Sequence, residues 1–276
     1  METVKLSKDA KTIINDTFNN CINDFRFLIK DNGYAILNPA WICKDSVSPY
    51  NRLYLIDSGE GILETENQRI TMVPGMVYLI PPELRVSYRC PEELRKLYFH
   101  ITVLKPDHYD LFRDCRIIRQ IPLPAQQLQK IISLYNSNSY AGLLQIKQQL
   151  YELICAFQEV YGVGLNAFSY TSYVADAIKY IQDNLSAKLS LAELADHCHI
   201  SKNFLSDTFR QEVGVTIGKY IDDRLMAVAR ERLCQCNLSI ADISAELGFC
   251  DQFYFSRRFK QLCGMTPTQY RNKAKL

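Results

Sequence analysis

Histidine is scarce in this chain: there are four among 276 residues, and they form no ligand set. His197 and His199 flank Cys198, but one falls at the end of a helix and the other in a tight turn, so their side chains diverge. Cys234 and Cys236 stand two apart on a helix and do not share a face. A metal sensor is therefore not expected, and no cofactor is expected. The ten cysteines include no Cys-x-x-Cys pair, and none has an electropositive setting readable from sequence. No apolar run approaches the ~18 residues of a membrane helix, and the opening METVKLSKDAK lacks the apolar core of a secretory signal. These absences predict a cytoplasmic protein with reduced, buried thiols and no membrane partner. There is no Gly-x-Ser-x-Gly elbow, and His100 and His108 lack a matching nucleophile, so a hydrolase is excluded. A net charge of +2 leaves no global polybasic character.

What is present is a repeat. Ser190, Leu191, Leu194, Ala195 and Ile200 recur 49 residues later as Ser239, Ile240, Ile243, Ser244 and Phe249. After one inserted residue, Leu205, Ser206, Phe209, Arg210, Gly214, Thr216 and Tyr220 recur as Phe255, Ser256, Phe259, Lys260, Gly264, Thr266 and Tyr270. A period near 50 implies two supersecondary units. In each, a serine N-cap precedes an acid three residues on (Glu193, Asp242), a capping box and its Asp variant. Short apolar steps mark a helix with one buried face. A turn follows, at Cys198-His199 or Gly248. Second helices begin near Ser201 and Asp251, and Gly214 and Gly264 stop them. Helix, tight turn, helix is the pattern whose second helix enters a DNA major groove. Residues 252–276 hold six Lys or Arg and no Asp or Glu, a local footprint suited to phosphates that an ordinary solvated tail would also show.

The stretch SIADISAELGFCDQFYFSRRFKQLCGMTPTQYR (Ser239 to Arg271) resembles the signature of AraC/XylS-type transcription regulators. The resemblance covers roughly the last 100 residues closely, and the first unit also fits that family's first helix-turn-helix. It implies a helix joining the units, about Ile221–Cys236. Relative to Ala229, Leu225 and Arg232 stand where the family usually has Arg and Leu, and Arg224 is one position early.

Residues 1 to about 120 read as β-rich: short apolar runs (Ala35–Leu37, Leu53–Ile56, Val77–Ile80, Leu97–Val103) separated by Gly/Pro turns. In the last run Leu97, Phe99, Ile101 and Val103 alternate with Tyr98, His100 and Thr102. Such strands favour a sandwich or barrel. Arg52 to Tyr88 resembles the cupin-like sensor domain often found before an AraC-type DNA-binding half. The imidazoles of metal-binding cupins are missing at the corresponding stretches, Pro49-Tyr50-Asn51-Arg52 and Leu84-Arg85-Val86, which argues against the competing reading of a cupin-type enzyme fused to a DNA-binding domain. From Pro124 to Tyr161 the period turns helical. One stripe is Leu128, Ile131, Ile132 and Tyr135; another runs from Leu143/Leu144 through Leu150 to Phe157. These helices either supply a dimer contact or cover the barrel. Gly162 to Thr171 has linker composition, and Tyr173–Leu185 opens the second domain.

The expected fold class is thus α+β with two domains: residues 1–165, a cupin-like β-barrel with a helical dimerisation segment, and 172–276, an all-α tandem helix-turn-helix. Base and phosphate contacts are expected from Lys202, Asn203, Ser206, Asp207 and Arg210 in the first unit. The second offers Gln252, Phe253, Ser256, Arg257 and Lys260. Phe253 either touches a thymine methyl or packs in the core. Trp41, Arg52, Arg85, Tyr88, Tyr98 and His100 are the candidates for a small-molecule pocket; the resemblance implies a sugar or related metabolite. Expected partners are double-stranded DNA, this effector, a second copy of the chain and, as a further candidate, RNA polymerase. A third reading has the barrel only dimerise. The sequence leaves activation versus repression open.

Overall fold

The computed structural model describes residues 25–162, 170–235 and 238–274. The opening METVKLSKDAK, most of the linker (163–169), Cys236 and Lys275 lie outside them. The strand-rich half forms two antiparallel sheets. One has the order β1 (Arg26–Leu37), β8 (Leu94–Leu104), β3 (Asn51–Gly59), β6 (Met76–Ile80), β9 (Arg119–Pro122). The other runs β2 (Ile42–Ser46), β7 (Val86–Arg89), β4 (Gly61–Glu64), β5 (Arg69–Met72). Among the described residues no ladder joins the two sheets, so the expected closed barrel is instead a pair of sheets packed face to face.

The period-two pattern of β8 sets the layers. Leu97, Phe99, Ile101 and Val103 are buried with Leu128 and Ile131 of helix α1 (Ala125–Tyr135) and Ile146, Leu150, Leu153 and Phe157 of α2 (Tyr140–Tyr161). The other face of the same strands meets the second sheet, where Tyr54 and Ile56 pack with Cys43, Leu63, Val86 and Tyr88. Register places Arg52 opposite His100, Tyr54 opposite Tyr98 and Ile56 opposite Lys96. Residues paired across an antiparallel ladder share a face, so these six look into the space between the sheets. The chain passes from one sheet to the other at Gly59, whose φ is +76° and where a Cβ would lie 2.1 Å from the Glu93 carbonyl oxygen. Only glycine satisfies both conditions. Helix α2 departs from its expected stripe at one end: Leu143 and Leu144 are exposed, because the inward positions of the first two turns are Gly142 and Ile146.

From Ser172 the described chain is helical: α3 (Ser172–Asp183), α4 (Leu191–His197), α5 (Lys202–Val213), α6 (Ile217–Gln235), α7 (Ile240–Glu246), α8 (Gln252–Cys263) and α9 (Pro267–Ala274). The two repeat units share one core rather than having one each. Leu194, Leu205 and Phe209 of the first join Ile243, Phe255 and Phe259 of the second through Leu225, Ala229 and Leu233 of α6. Those α6 residues recur every four positions and form its inward stripe. Arg232 sits off that stripe and pairs with Glu246 through two nitrogens at 2.9 and 2.7 Å. Helix α6 starts earlier than the sequence indicates, because Thr216 Oγ1 accepts from the Lys219 N–H and begins the turn.

The halves are in contact. Val47 and Tyr109 enter the helical core. Tyr220 donates to the Asp107 carbonyl at 2.9 Å, Tyr109 donates to Asp223 at 3.0 Å, and Arg224 donates to the His108 carbonyl. Glu83, in the β6–β7 turn, pairs with Arg230 at 3.1 Å and accepts from Tyr270 at 3.1 Å. Lys30 pairs with Glu231. Five of these C-terminal partners, Tyr220, Asp223, Arg224, Arg230 and Glu231, belong to α6.

Candidate nucleic-acid interface

Each helix pair is built by local chemistry. Ser190 Oγ accepts from the Glu193 N–H at 3.2 Å while Glu193 accepts from the Ser190 N–H at 3.1 Å; Ser239 and Asp242 repeat the exchange at 3.1 and 3.0 Å. Both expected capping boxes therefore form. Ser201 Oγ accepts from Phe204 N at 3.2 Å and starts α5. Asp251 Oδ1 accepts from Phe253 N at 2.7 Å and Tyr254 N at 2.8 Å and starts α8. The turn before each second helix needs a left-handed residue. Gly248 supplies it in the second pair with φ +77°, and His199 supplies it in the first with φ +54°.

The bonds to Tyr254 N–H, with those to Cys250 and Phe253, hold the Asp251 carboxyl below its ordinary value of 3.8. A depressed folded-state value adds stability that is present above the ordinary value and lost as pH falls through the folded one. Asp251→Ala is thus expected to lower the thermal midpoint at pH 7, with the gap to the parent protein closing only below pH 3.8. A gap independent of pH would show that the cap acts without its charge.

Leu205 and Phe209 of α5, and Phe255 and Phe259 of α8, are buried. Their helices therefore turn the remaining face outward. Lys202, Asn203, Asp207 and Arg210 are exposed with Ser206 half-buried; Gln252, Phe253, Arg257 and Lys260 are exposed with Ser256 half-buried. The structure thus brings the ten named residues onto two outward helix faces of like composition. Phe253 is 72 % exposed, which removes the core-packing alternative for it. Phe204 and Tyr254 are also half-exposed aromatics, outside the ten residues named from the sequence. Arg258, in contrast, is tied to Asp222 of α6 and belongs to the scaffold.

The nominated pocket residues of the first half divide. Trp41, Arg52, Tyr88, Tyr98 and His100 gather between the sheets: Trp41 stacks on Tyr88 at 4.4 Å and Tyr98 lies 5.1 Å from His100. Lys96 sits among them, its Nζ 3.3 Å above the Tyr54 ring and 4.3 Å above Trp41. It is absent from the sequence-level candidates. Burial, with weaker opposing and like-charge effects from Asp31, Arg52 and Lys96, lowers His100 to about 4, so it is neutral at pH 7. Arg85 lies elsewhere: it is exposed and lines a cleft of about 370 Å³ with Glu83, Arg113, Arg116 and Arg230. Among the described residues no group of three or more His, Cys, Asp or Glu is placed to hold a metal ion. No described helix is long and apolar enough to cross a membrane.

Two outward helix faces rich in Arg, Lys, Asn and Gln, each backed by a capped helix and a tight turn, define a helix-turn-helix DNA-binding protein. Comparison with known proteins agrees. The family model described as "Helix-turn-helix domain" matches residues 194–273. The arabinose operon regulatory protein of Salmonella typhimurium is 28 % identical over 233 residues, 79 % of this chain and 82 % of that protein. The HTH-type transcriptional activator AarP of Providencia stuartii is 35 % identical over 101 residues, 37 % of this chain and 75 % of AarP. Among solved structures, the C-terminal domain of AraT, a response regulator from Geobacillus stearothermophilus, is 30 % identical with a TM-score of 0.38, covering 39 % of this chain and 89 % of that one. The chain belongs to the AraC/XylS family of transcription regulators.

Proposed function

We propose that the protein is a ligand-responsive, sequence-specific transcription regulator. Its residues 1–165 form a cupin-like sensing and dimerisation domain, and residues 172–276 form a tandem helix-turn-helix reader. The observation that carries the reading is the pairing of like polar faces on α5 and α8, joined by the single helix α6. Both helices enter successive major grooves of one duplex, which calls for two half-elements about 10 bp apart per protomer. Arg257 and Arg210 are suited to guanine, Asn203 and Gln252 to adenine, Phe253 to a thymine methyl, and Lys202 and Lys260 to phosphate. Ser206 and Ser256 suit either role, and Asp207 suits a cytosine amine.

The effector is a small metabolite held between the two sheets, near Trp41, Tyr88, Tyr98 and His100. The relative named for the arabinose operon makes a sugar or sugar derivative the class to try first. Helix α6 touches the sensing half through Tyr220, Asp223, Arg224 and Arg230 and also backs both helix pairs. A ligand that favours one packing of the sheets against α6 would therefore shift the whole reader. Exposed Tyr140, Leu143 and Leu144, beside an apolar groove of about 340 Å³, suit a second copy of the chain.

The test is selection of bound genomic fragments by the purified protein at fixed, stated salt. Enriched fragments should share two spaced half-elements. In the same assay Arg257→Ala should relax preference at one base position, costing about 1–3 kcal/mol there. A uniform loss across sequences would make Arg257 a phosphate contact, and an absence of shared elements with or without candidate metabolites would refute the tandem reader.

A further inference from the structure

The space between the sheets holds two basic side chains and, among the described residues, no carboxylate paired with either. Lys96 is 4 % exposed and Arg52 is 3 % exposed. Among the described residues neither has a carboxylate within ion-pair distance. Lys96 Nζ faces only rings, those of Tyr54, Trp41 and Tyr98 at 3.3, 4.3 and 5.9 Å. Arg52 donates from Nη1 to Ser46 Oγ at 3.2 Å, while its Nε and Nη2 are buried with no hydrogen-bond partner. Asp31, near this face, is more than half exposed and lies 3.4 Å from His100 Nδ1 rather than paired with Arg52 or Lys96.

The surrounding phenols do not make up the deficit. Burial raises Tyr54, Tyr88 and Tyr98 above the ordinary phenol value, so none supplies a negative charge at neutral pH. Burial, reinforced by Arg52, pushes Lys96 well below the ordinary lysine value. Two basic groups without a counter-charge in an apolar interior are costly unless something else neutralises them. The rings over Lys96 recover part of that cost for the amine, and the Tyr54 hydroxyl part of it for Arg52, but the buried Nε and Nη2 of the guanidinium have no hydrogen-bond partner.

We propose that Arg52 and Lys96 together bind the carboxylate of a small anionic effector between the sheets, with the aromatic cluster holding the rest of the molecule. This rests on the sensing role proposed above and sharpens it: the effector is an acid, a sugar acid before a neutral sugar. Arg52 offers Nε and Nη2 side by side, the geometry that meets both oxygens of one carboxylate. The arriving anion favours the charged form of Lys96, offsetting the burial that disfavours it.

The chain carries its own reporter, since Trp41 is its single tryptophan and stands above Lys96 Nζ. Trp41 emission and the thermal midpoint of the full-length protein are measured during titration with galacturonate and with galactose, which share a ring and differ in charge. Acetate and inorganic phosphate are run as body-free anions at equal ionic strength. Galacturonate and acetate should each change Trp41 emission and raise the midpoint by about 2 °C or more at saturating concentration. Lys96→Met and Arg52→Met should each abolish both responses and, without anion, melt no lower than the parent. Phosphate acting in place of both carboxylates would overturn the carboxylate assignment. Galactose acting as well as galacturonate would overturn the anionic class while leaving a sensing role intact. If no probe acts through Lys96 and Arg52, the proposed site is refuted, and DNA selection by the same preparation reports separately on the regulator reading.

Discussion

Phe259→Ala is expected to destabilise the helical half by about 3–5 kcal/mol, the range for emptying a fully buried aromatic site. The ring is wholly inaccessible and lies 5.8 Å from Phe255 and 5.7 Å from Tyr270, so its loss leaves a void bordered by rigid rings. Tyr270 in turn donates to Glu83 of the strand-rich half, so the effect should reach the contact between halves. The matched control is Phe253→Ala, one of the outward residues of the same helix, which should change stability by no more than about 0.5 kcal/mol while weakening DNA binding. Chemical denaturation of the two variants side by side decides the matter. A larger loss for Phe253 than for Phe259 would mean that the inward and outward faces of α8 have been exchanged.

The second large effect concerns operator geometry. Helix α6 has 19 residues, about 28 Å at 1.5 Å per residue, and Leu225, Ala229 and Leu233 fix it in the core common to both helix pairs. A reader held this firmly has little freedom to follow a displaced half-element. Inserting 5 bp between the two elements puts the second on the opposite side of the duplex, and affinity should fall by roughly a thousandfold, towards the non-specific level. Inserting 10 bp restores the face but adds about 34 Å of distance, so it should not rescue binding. Recovery at 10 bp would point to pairs joined loosely, and indifference to both insertions would mean that one pair alone binds.

Much of the helical half was legible because its signals are local. Ser190 with Glu193, Ser239 with Asp242, and the glycines after α5 and α8 act within a few residues of themselves. Their consequences do not depend on the rest of the chain. Leu205 and Phe209 recur as Phe255 and Phe259, so the buried faces could be read twice. His199 was less transparent: nothing in a lone histidine announces that it must take the left-handed turn that Gly248 takes one repeat later. The start of α6 was misplaced for a similar reason, since a threonine cap is a weaker mark than a change in apolar period.

The candidate pocket shows the opposite case. Lys96 is in phase with Tyr98 and His100, and a lysine in an alternating strand ordinarily counts as a mark of the solvent face. Only the second sheet, packed over that face, turns it into an interior position. The same packing separates Arg85 from the other five nominated residues, although it stands three positions from Tyr88 in sequence.

The amino-acid sequence by itself therefore determined the helix pairs of the C-terminal half, their caps, the twofold repeat and the outward sets of α5 and α8, because hydrogen bonds and apolar periodicity within a few residues suffice for each. The tertiary structure alone decided that the strands form two facing sheets, that both helix pairs share one core through α6, and that Lys96 and Arg52 are enclosed without an acid. Burial of those groups is set by strands and helices distant in the chain, and pairing between distant segments leaves no local mark.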